Sequence, residues 1–518
     1  MNFFDLFYIN DWLLLFGGLV YALHKYASWN YDWWTSQGVP GPKPLPFALP
    51  SPTFMREGIR MDKKLTDQYG DTVGYFEGRL PCLFTQDDDM LREIMVKQFQ
   101  NFPNRRFFEF PKGSYLENGI FSMREEHGWK DSRDLLSPAF SSGKLRKMTK
   151  QVNECAQYCA KTFGDLPPSG KVINLKRNMA DMTMNFIATV AFGLDLKDTD
   201  SIQEFTRMGR EVNEGITRST WRLVLVIMMP KVVIFLQNNF KIPIMDFSGI
   251  KFFQKVVTSV MDMRKKGDTT RTDFIQLMSN AHNDEVDRET IEEVKKLGEE
   301  INTSKKNKRF GRDDIIGNGI LFFNAGFETV ANGLSFFFYE LALHPDIQEQ
   351  VYEEVAELFA RKKELSFDDT QDLKLLDRCF SETLRIHPVV PRIDREAKND
   401  ITIKGIKIKK GSIVNIPISS IHMDPRRWPN PEEFKPERFT EEEKKNRSPF
   451  SWLPFGYGPR HCIGMRLALM EARLAAAHII YNFKFEPCST TQIPYVPTPF
   501  GNVSGDGLDV NILPRKAN

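Results

Sequence analysis

Residues 455–464 read Phe-Gly-Tyr-Gly-Pro-Arg-His-Cys-Ile-Gly, and this loop is the most informative part of the chain. The residues after it recur every three or four positions on one predicted helix face: Leu467, Met470, Leu474, Ala477, His478 and Tyr481. Cys462 is therefore predicted to lie on a glycine-bearing loop at a helix N-terminus. Free backbone N–H groups and the helix dipole stabilise a thiolate at such a position.

Three neighbours of Cys462 suggest that the loop approaches a flat, acidic ligand. Gly458 allows a tight turn, and Gly464 lets the backbone approach a ligand where a side chain would block it. Arg460 lies two residues before the cysteine and can pair with a carboxylate on that ligand.

The pattern Phe-x-x-Gly-x-Arg-x-Cys-x-Gly resembles the haem-binding loop of the cytochrome P-450 superfamily, the haem-thiolate monooxygenases. The resemblance implies that the cofactor is haem b, that Cys462 binds its iron, and that Phe455, Arg460 and Gly464 line its site. The alternative is that Cys462 is one more buried free thiol. Four other matching positions weigh against that alternative.

Composition excludes several other classes of protein. The chain has 70 Lys and Arg against 68 Asp and Glu, so its net charge of +2 provides no global field for nucleic acid. Six scattered cysteines in 518 residues are unlike a secreted disulfide scaffold and are typical of a reducing compartment. We therefore expect no nucleic-acid partner.

The N-terminus predicts a membrane anchor. Trp12 to Leu23 is an uncharged apolar run, and Lys25 follows it, which favours a cytosolic remainder of the chain. A cleaved signal peptide is the competing interpretation, but the start lacks Lys and Arg and no small-residue cleavage site follows. We predict an anchor over 1–26, an aromatic and Pro-rich hinge over 27–46, and a catalytic domain over 47–518. The resemblance implies the endoplasmic reticulum membrane, with the catalytic domain facing the cytosol.

The longest predicted helix runs from Asp313 to Leu343, with apolar residues at alternating four- and three-residue steps. Within it, residues 325–329 read Ala-Gly-Phe-Glu-Thr and resemble the family's oxygen-binding motif. The resemblance implies that Ala325, with the following glycine, leaves room for dioxygen, that Thr329 hydrogen-bonds it, and that Glu328 relays protons. Capping or bending of the helix is the structural alternative for Thr329.

Four further residues are implied to contact the haem propionates. Trp129 and Arg133 are four residues apart and so share one helix face. Arg105 and Arg392 match family arginines with the same role. The alternatives are an ordinary tryptophan packed under an arginine side chain, and an exposed loop arginine.

Two other patterns concern support and electron supply. Glu382, Arg385 and Arg438 are implied to form a buried salt-bridge network behind the cysteine loop, where loss of one partner leaves a buried charge. A basic cluster around Lys144 to Lys150 is either a solvated helix end or a docking patch for an acidic electron donor.

The patterns predict a mainly α protein with a smaller β region, including strands between Asp400 and Pro417. The resemblance adds the triangular-prism fold of the superfamily. No flavin-type glycine fingerprint is present, so an NADPH-dependent flavoprotein reductase, with cytochrome b5 as an optional donor, is expected as partner.

The resulting hypothesis is a monooxygenase that inserts one atom of dioxygen into a lipophilic substrate. Residues 137–145 and 456–466 resemble the animal microsomal branch that holds the drug-oxidising enzymes and thromboxane synthase. His461 departs from the asparagine common in that branch. A haem-thiolate isomerase that rearranges peroxides and a non-catalytic haem sensor or carrier are the alternatives. The Glu328–Thr329 pair argues against both.

Overall fold

The computed structural model describes residues 9–44, 58, 60–106, 114–164, 166–194, 196, 198–217, 230–240, 247–266, 274–280, 310–498 and 506–515. The chain divides into two compact units. The first contains Met1–Arg106 and Arg392–Ser420, and the second contains Phe107–Pro391 and Ile421–Asn518.

The first unit is built around a four-stranded sheet of order β1-β2-β7-β4 and a separate β5-β6 hairpin. In the sheet β2 and β7 are parallel, whereas the β1-β2 and β4-β7 pairs are antiparallel. Its described elements are α1 (Ile9–Ser28), α2 (Arg60–Tyr69), β1 (Thr72–Glu77), β2 (Leu80–Thr85), α3 (Asp88–Arg92), β4 (Ile393–Glu396), β5 (Ile401–Ile403), β6 (Ile406–Ile408) and β7 (Ile413–Ile416). The strands predicted between Asp400 and Pro417 are confirmed.

The predicted hinge over 27–46 packs against the sheet over its described part, 27–44. Trp34 is buried, and its indole N–H donates to the carbonyl of Tyr75 at 3.0 Å. The amide of Gly74 donates to the carbonyl of Pro40 at 2.9 Å. A Cβ at Gly41 would lie 1.8 Å from the carbonyl oxygen of Gly74, so only glycine permits this close approach. The segment is thus fastened to β1, and the predicted domain boundaries stay a prediction.

Helix α1 exposes most of its large apolar side chains, including Leu14, Phe16 and Tyr21. Among the helices that the structure describes, none is both long enough and apolar enough to cross a membrane. Residues 1–8 of the predicted anchor and 45–46 of the predicted hinge lie outside the described residues.

The second unit is mainly helical, with a three-stranded sheet of order β3-β9-β8. Its helices are α4 (Trp129–Leu136), α5 (Ser142–Thr162), α6 (Leu175–Phe186), α7 (Thr199–Thr217), α8 (Pro230–Phe240), α9 (Ser248–Lys265), α10 (Phe274–Asn280), α11 (Arg312–Leu343), α12 (Pro345–Arg361), α13 (Lys374–Ile386), α15 (Glu441–Lys445) and α16 (Met465–Asn482). A short helix α14 (Ile418–His422) crosses the boundary between the units, and the strands are β3 (Lys171–Asn174), β8 (Phe483–Pro487) and β9 (Asp509–Pro514).

Helix α11 is the centre of the second unit and confirms the longest predicted helix to within one residue. Its first turn is capped by Asp314, whose side chain accepts from the amide of Gly311 at 3.0 Å. It contacts α6, α9 and α13 and is buried along most of its 32 residues. Phe323 shows how tightly it packs, since its ring stacks on Phe192 with centroids 3.7 Å apart.

The helix predicted after the cysteine loop is also confirmed as α16. Leu467, Met470, Leu474, Ala477 and His478 are buried as the periodicity predicts, whereas Tyr481 is 41% exposed. The fold class is therefore as predicted, mainly α with a smaller β region.

Candidate active site

The cysteine loop is closed by its own backbone hydrogen bonds. The amide of Cys462 donates to the carbonyl of Phe455 at 2.8 Å, and that of His461 donates to Gly458 at 2.9 Å. Gly456 and Gly458 both have φ near +70°, which side chains rarely tolerate, so the turn requires glycine at both positions. Inside this closed loop His461 is buried while Cys462 is exposed. The fold thus presents the cysteine side chain on an otherwise enclosed loop.

Gly464 caps the N-terminus of α16 two residues after the cysteine. A Cβ built at Gly464 would lie 4.0 Å from Cys462 Sγ and 4.0 Å from Cε1 of Phe140. Any longer side chain would extend from that point into the space beside the sulfur. The missing side chain therefore keeps the approach to Cys462 open, as the sequence predicted for a flat ligand.

Helix α11 carries a second exposed patch. Ala325 and Thr329 are exposed, although Phe327 and Val330 beside them are buried. The Thr329 hydroxyl donates to the carbonyl of Ala325 at 2.6 Å, the helix-internal bond expected of a threonine in this position. Because the hydroxyl proton is used in this bond, the oxygen lone pairs remain as acceptors on the exposed side.

Glu328 is tied to a neighbouring helix. Its Oε1 lies 3.3 Å from Nζ of Lys176 on α6, and the two side chains are only 19% and 16% exposed. The predicted proton carrier is therefore a mostly buried carboxylate with a lysine partner. The glycine of the same motif has a packing role, since a Cβ at Gly326 would lie 2.5 Å from Cδ1 of Ile187.

Two contact paths connect α11 to the cysteine loop. The ring of Phe140, which would touch a Cβ at Gly464, lies 5.6 Å from the ring of Phe322 on α11. Along the other path, Asn318 of α11 accepts from the amide of Ile120 at 3.0 Å, and Ile120 in turn accepts from Arg460. Packing and hydrogen bonds thus fix the position of the cysteine loop relative to α11.

Arg460 and Trp129, predicted separately, are brought into direct contact. The guanidinium carbon of Arg460 lies 3.8 Å from the centre of the Trp129 ring, and both side chains are buried. Arg460 also donates to the carbonyls of Ile120 at 3.0 Å and Met123 at 2.8 Å. Its orientation is therefore set by an aromatic face and two carbonyl dipoles.

Arg133 reaches the cysteine loop through the residue before Cys462. Its Nη2 lies 3.3 Å from both ring nitrogens of His461, and both residues are buried. The predicted helix face is confirmed in that Trp129 and Arg133 both lie on α4 and both contact the loop.

The predicted salt-bridge network behind the loop is confirmed. Glu382 accepts from Arg385 at 2.7 and 2.9 Å and from Arg438 at 3.2 Å, and all three side chains are buried. Each arginine also donates to a backbone carbonyl: Arg385 to His422 at 2.9 Å and Arg438 to Asn430 at 2.8 Å. Such a complete set of partners is what a buried charge requires.

His422 connects this network to the cysteine loop and was missed by the sequence analysis. Its Nε2 accepts from the amide of Leu453 at 2.8 Å, so Nδ1 carries the proton and donates to the carbonyl of Arg385 at 3.2 Å. Burial and the Arg385 cation lower the pKa of His422 to about 3. The ring is therefore held neutral.

The two remaining predicted arginines belong to the first unit. Arg392 forms a close ion pair with the buried carboxylate of Asp62, and despite burial this partner raises the pKa of Arg392. Arg395, three residues further on, is 1% exposed, and its Nε has no hydrogen-bond partner among the described residues. Burial and the neighbouring Arg105 lower the pKa of Arg395 to about 9.

Arg395 is thus a second buried residue that the sequence analysis did not single out. Two arginines in one short segment cannot be ranked by sequence alone. Its Nη1 donates to the carbonyl of Asp394 at 2.7 Å, so only part of its hydrogen-bonding capacity is unused. Arg392 already has its anion in Asp62.

These residues fit haem. The sulfur of Cys462 is exposed, the glycine beside it leaves space for a flat group, and buried cations supply partners for two carboxylates. Soft thiolate ligation at a helix N-terminus is one of the established modes of haem binding. The arrangement is that of a haem-binding protein.

Comparisons with known proteins agree. Residues 39–505 match the family model for cytochrome P450. The chain is 34% identical over 498 residues to cytochrome P450 3A41 of Mus musculus, covering 95% of this chain and 94% of that protein. It is also 34% identical to cytochrome P450 3A29 of Sus scrofa over 98% of this chain and 97% of that protein. Cytochrome P450 3A2 of Rattus norvegicus is 34% identical over 94% and 93%.

The chain belongs to the cytochrome P450 family. It is a haem-dependent monooxygenase that acts on lipophilic substrates, its cofactor is haem b, and it takes electrons from a redox partner. Neither a peroxide-rearranging isomerase nor a non-catalytic haem carrier is favoured by these findings.

Proposed function

We propose that Cys462 would bind the haem iron. The observation that supports this assignment is the exposed cysteine on a loop whose backbone is closed by hydrogen bonds and whose glycine leaves one side open. When bound, the haem supplies the oxygen chemistry, and a thiolate ligand favours cleavage of the O–O bond. The chain supplies position, polarity and protons.

Thr329 and Glu328 are the proton-handling residues of this proposal. The hydroxyl oxygen of Thr329 accepts a hydrogen bond from a water in the site, because its own proton is bonded to Ala325. Glu328, whose carboxylate lies 3.3 Å from Nζ of Lys176, is the proposed proton relay on the same helix turn. Because the side chain of Ala325 is only a methyl group, it leaves space beside Thr329.

Buried cations hold the haem carboxylates. In the second unit Arg460 and Arg133, with Trp129, are fixed in place by carbonyls and rings of their surroundings. Arg105 and Arg392, for which the resemblance implies the same role, lie in the first unit, and that role stays a prediction. Phe455 and Gly464 shape the loop around the sulfur.

Turnover tests the proposal as a whole. Full-length protein with an NADPH-dependent flavoprotein reductase should oxidise members of a steroid, fatty-acid and xenobiotic panel, with one atom from isotopically labelled dioxygen in each product. The Cys462→Ala variant should not. Conversion of peroxides without reductant, and no oxidation with it, would instead support an isomerase.

The electron donor is a flavoprotein reductase, with cytochrome b5 as an optional donor, that docks on the basic face of α5. Lys147 and Lys150 are exposed there. Ser142 at the start of the same helix accepts from Arg466, four residues after the cysteine, at 3.0 Å. The basic surface is therefore adjacent to the helix that follows the proposed ligand.

A charge reversal tests this docking surface. The Lys147→Glu/Lys150→Glu variant should slow reductase-driven reduction of the haem strongly at low salt, because rim charges act mainly on association. Reduction by dithionite should not change. A Lys407→Glu/Lys410→Glu variant is the matched control, since both lysines are exposed in the first unit. Equal slowing by both variants would refute a specific surface.

The protein resides in the endoplasmic reticulum membrane with its catalytic domain facing the cytosol. The exposed apolar side chains of α1 and Lys25 in its last turn support this placement. In intact microsomes added protease should degrade the chain beyond residue 46. Full protection, or glycans on the chain, would contradict the proposed orientation.

A further inference from the structure

His461 is the residue before the proposed iron ligand, and its ring is fixed on one side by the loop. Nδ1 lies 2.9 Å from the carbonyl oxygen of Gly458, which can only accept a hydrogen bond. Nδ1 must therefore carry the ring proton and donate it. Nε2 is left with a lone pair.

The face of the ring meets a cation. Nη2 of Arg133 lies 3.3 Å from Nε2 and 3.3 Å from Nδ1. A nitrogen equally distant from both ring nitrogens lies over the ring plane, so the guanidinium packs on the face of the imidazole. The two residues are 5% and 4% exposed, so this contact is shielded from water.

We infer that His461 is a positioning residue for Arg133: it fixes the guanidinium in the orientation that binds a haem carboxylate. The inference rests on the proposed role of Arg133. The geometry gives His461 two contacts with different functions, since the Gly458 bond shapes the cysteine loop and the ring face orients the arginine. A merely structural histidine would need only the first.

The test separates these two contacts by substitution. His461→Gln supplies an amide N–H for Gly458 and a flat amide face for Arg133, whereas His461→Leu fills similar space and can do neither. Haem loss from the full-length ferric protein is followed as transfer to excess apomyoglobin, which requires no turnover. We expect His461→Leu to lose haem about tenfold faster, the factor for loss of a buried contact between a cation and a ring face. His461→Gln should stay within about threefold of the parent protein.

A double-variant cycle shows whether the effect passes through Arg133. In an Arg133→Gln background, His461→Leu should change the transfer rate by less than about twofold, because the group that it orients is gone. His478→Leu is the matched control. It removes another buried histidine of the second unit, bonded to Asn153 at 3.0 Å, and should not alter haem transfer.

The outcomes distinguish the inference from the proposal beneath it. If Arg133→Gln alone leaves haem transfer unchanged, the proposed role of Arg133 fails. In another outcome Arg133→Gln accelerates haem transfer, and His461→Leu accelerates it by a further, independent factor in the double variant. Arg133 then binds haem and His461 acts only through the loop, which overturns the inference. If the leucine variant yields no holoprotein, the same cycle with His461→Asn and His461→Gln decides between these outcomes.

Discussion

Arg392 and Arg395 lie three residues apart at the edge of one sheet, and both are largely removed from water. Arg392 forms an ion pair with Asp62, and this carboxylate raises the pKa of Arg392 despite burial. Arg395 faces Arg105 instead, and burial lowers the pKa of Arg395 to about 9. Asp62 therefore stabilises the charge of Arg392 within the fold, whereas among the described residues no ion pair is formed by Arg395. The difference separates a paired structural cation from a buried cation that its surroundings destabilise.

Removing Arg392 should give the largest effect. Arg392→Met leaves the buried Asp62 without its partner, so the free energy of unfolding should fall by about 3–5 kcal/mol. Urea unfolding of the haem-free chain measures the loss. The Asp62→Asn/Arg392→Met double variant is the control and should recover most of it. A loss below about 1 kcal/mol would show that Arg392 is not a structural cation.

Removing Arg395 should not lower the free energy of unfolding. Arg395→Met deletes a buried charge, so the haem-free chain should be as stable as the parent or about 1–2 kcal/mol more stable. Urea unfolding of the haem-free chain measures the difference. Destabilisation like that of Arg392→Met would remove the contrast between the two arginines.

His422 extends the contrast to a buried histidine. Its hydrogen bonds and its burial keep the imidazole ring neutral. Its folded pKa of about 3 is lower than the ordinary value of 6.5. The unfolded chain therefore binds the extra proton first, and stability falls as pH drops below 6.5 until about pH 3. From pH 7 to pH 5 the parent should lose about 2 kcal/mol more than His422→Asn, measured by urea unfolding at each pH. Parallel curves would show that His422 does not titrate in this way.

Thr329 should give the smallest change in stability. Thr329→Val removes a hydroxyl whose proton is bonded within α11, so the free energy of unfolding should change by no more than about 1 kcal/mol. Product formed per NADPH consumed should nevertheless fall, because the exposed oxygen acceptor is gone. Thr329→Ser keeps that acceptor and should restore the yield. An unchanged yield in the valine variant would remove Thr329 from the proton path.

The long helices and the glycine-rich turn were predictable because they depend on local sequence patterns. The apolar repeat of α11 and the run after the cysteine specify amphipathic helices, and a glycine-rich turn before a helix needs no distant partner to be recognised. The salt-bridge network of Glu382, Arg385 and Arg438 was predicted only through resemblance, although the three-residue spacing of Glu382 and Arg385 on one helix permits their ion pair.

The unpredictable features depend on partners far away in the chain. Asp62 is 330 residues from Arg392, so nothing near Arg392 marks it as already paired. Arg460 meets the carbonyls of Ile120 and Met123 across 340 and 337 residues. His422 has no motif of its own, and its role appears only when Leu453 and Arg385 are brought to opposite sides of its ring.

The central claim is that the sulfur of Cys462 binds the haem iron, and the most direct measurement is the absorption spectrum of the reduced protein under carbon monoxide. We predict a strongly red-shifted, thiolate-type Soret band in the parent protein and its absence in Cys462→Ala. A parent spectrum without that band, or a Cys462→Ala variant that keeps it, would contradict this account.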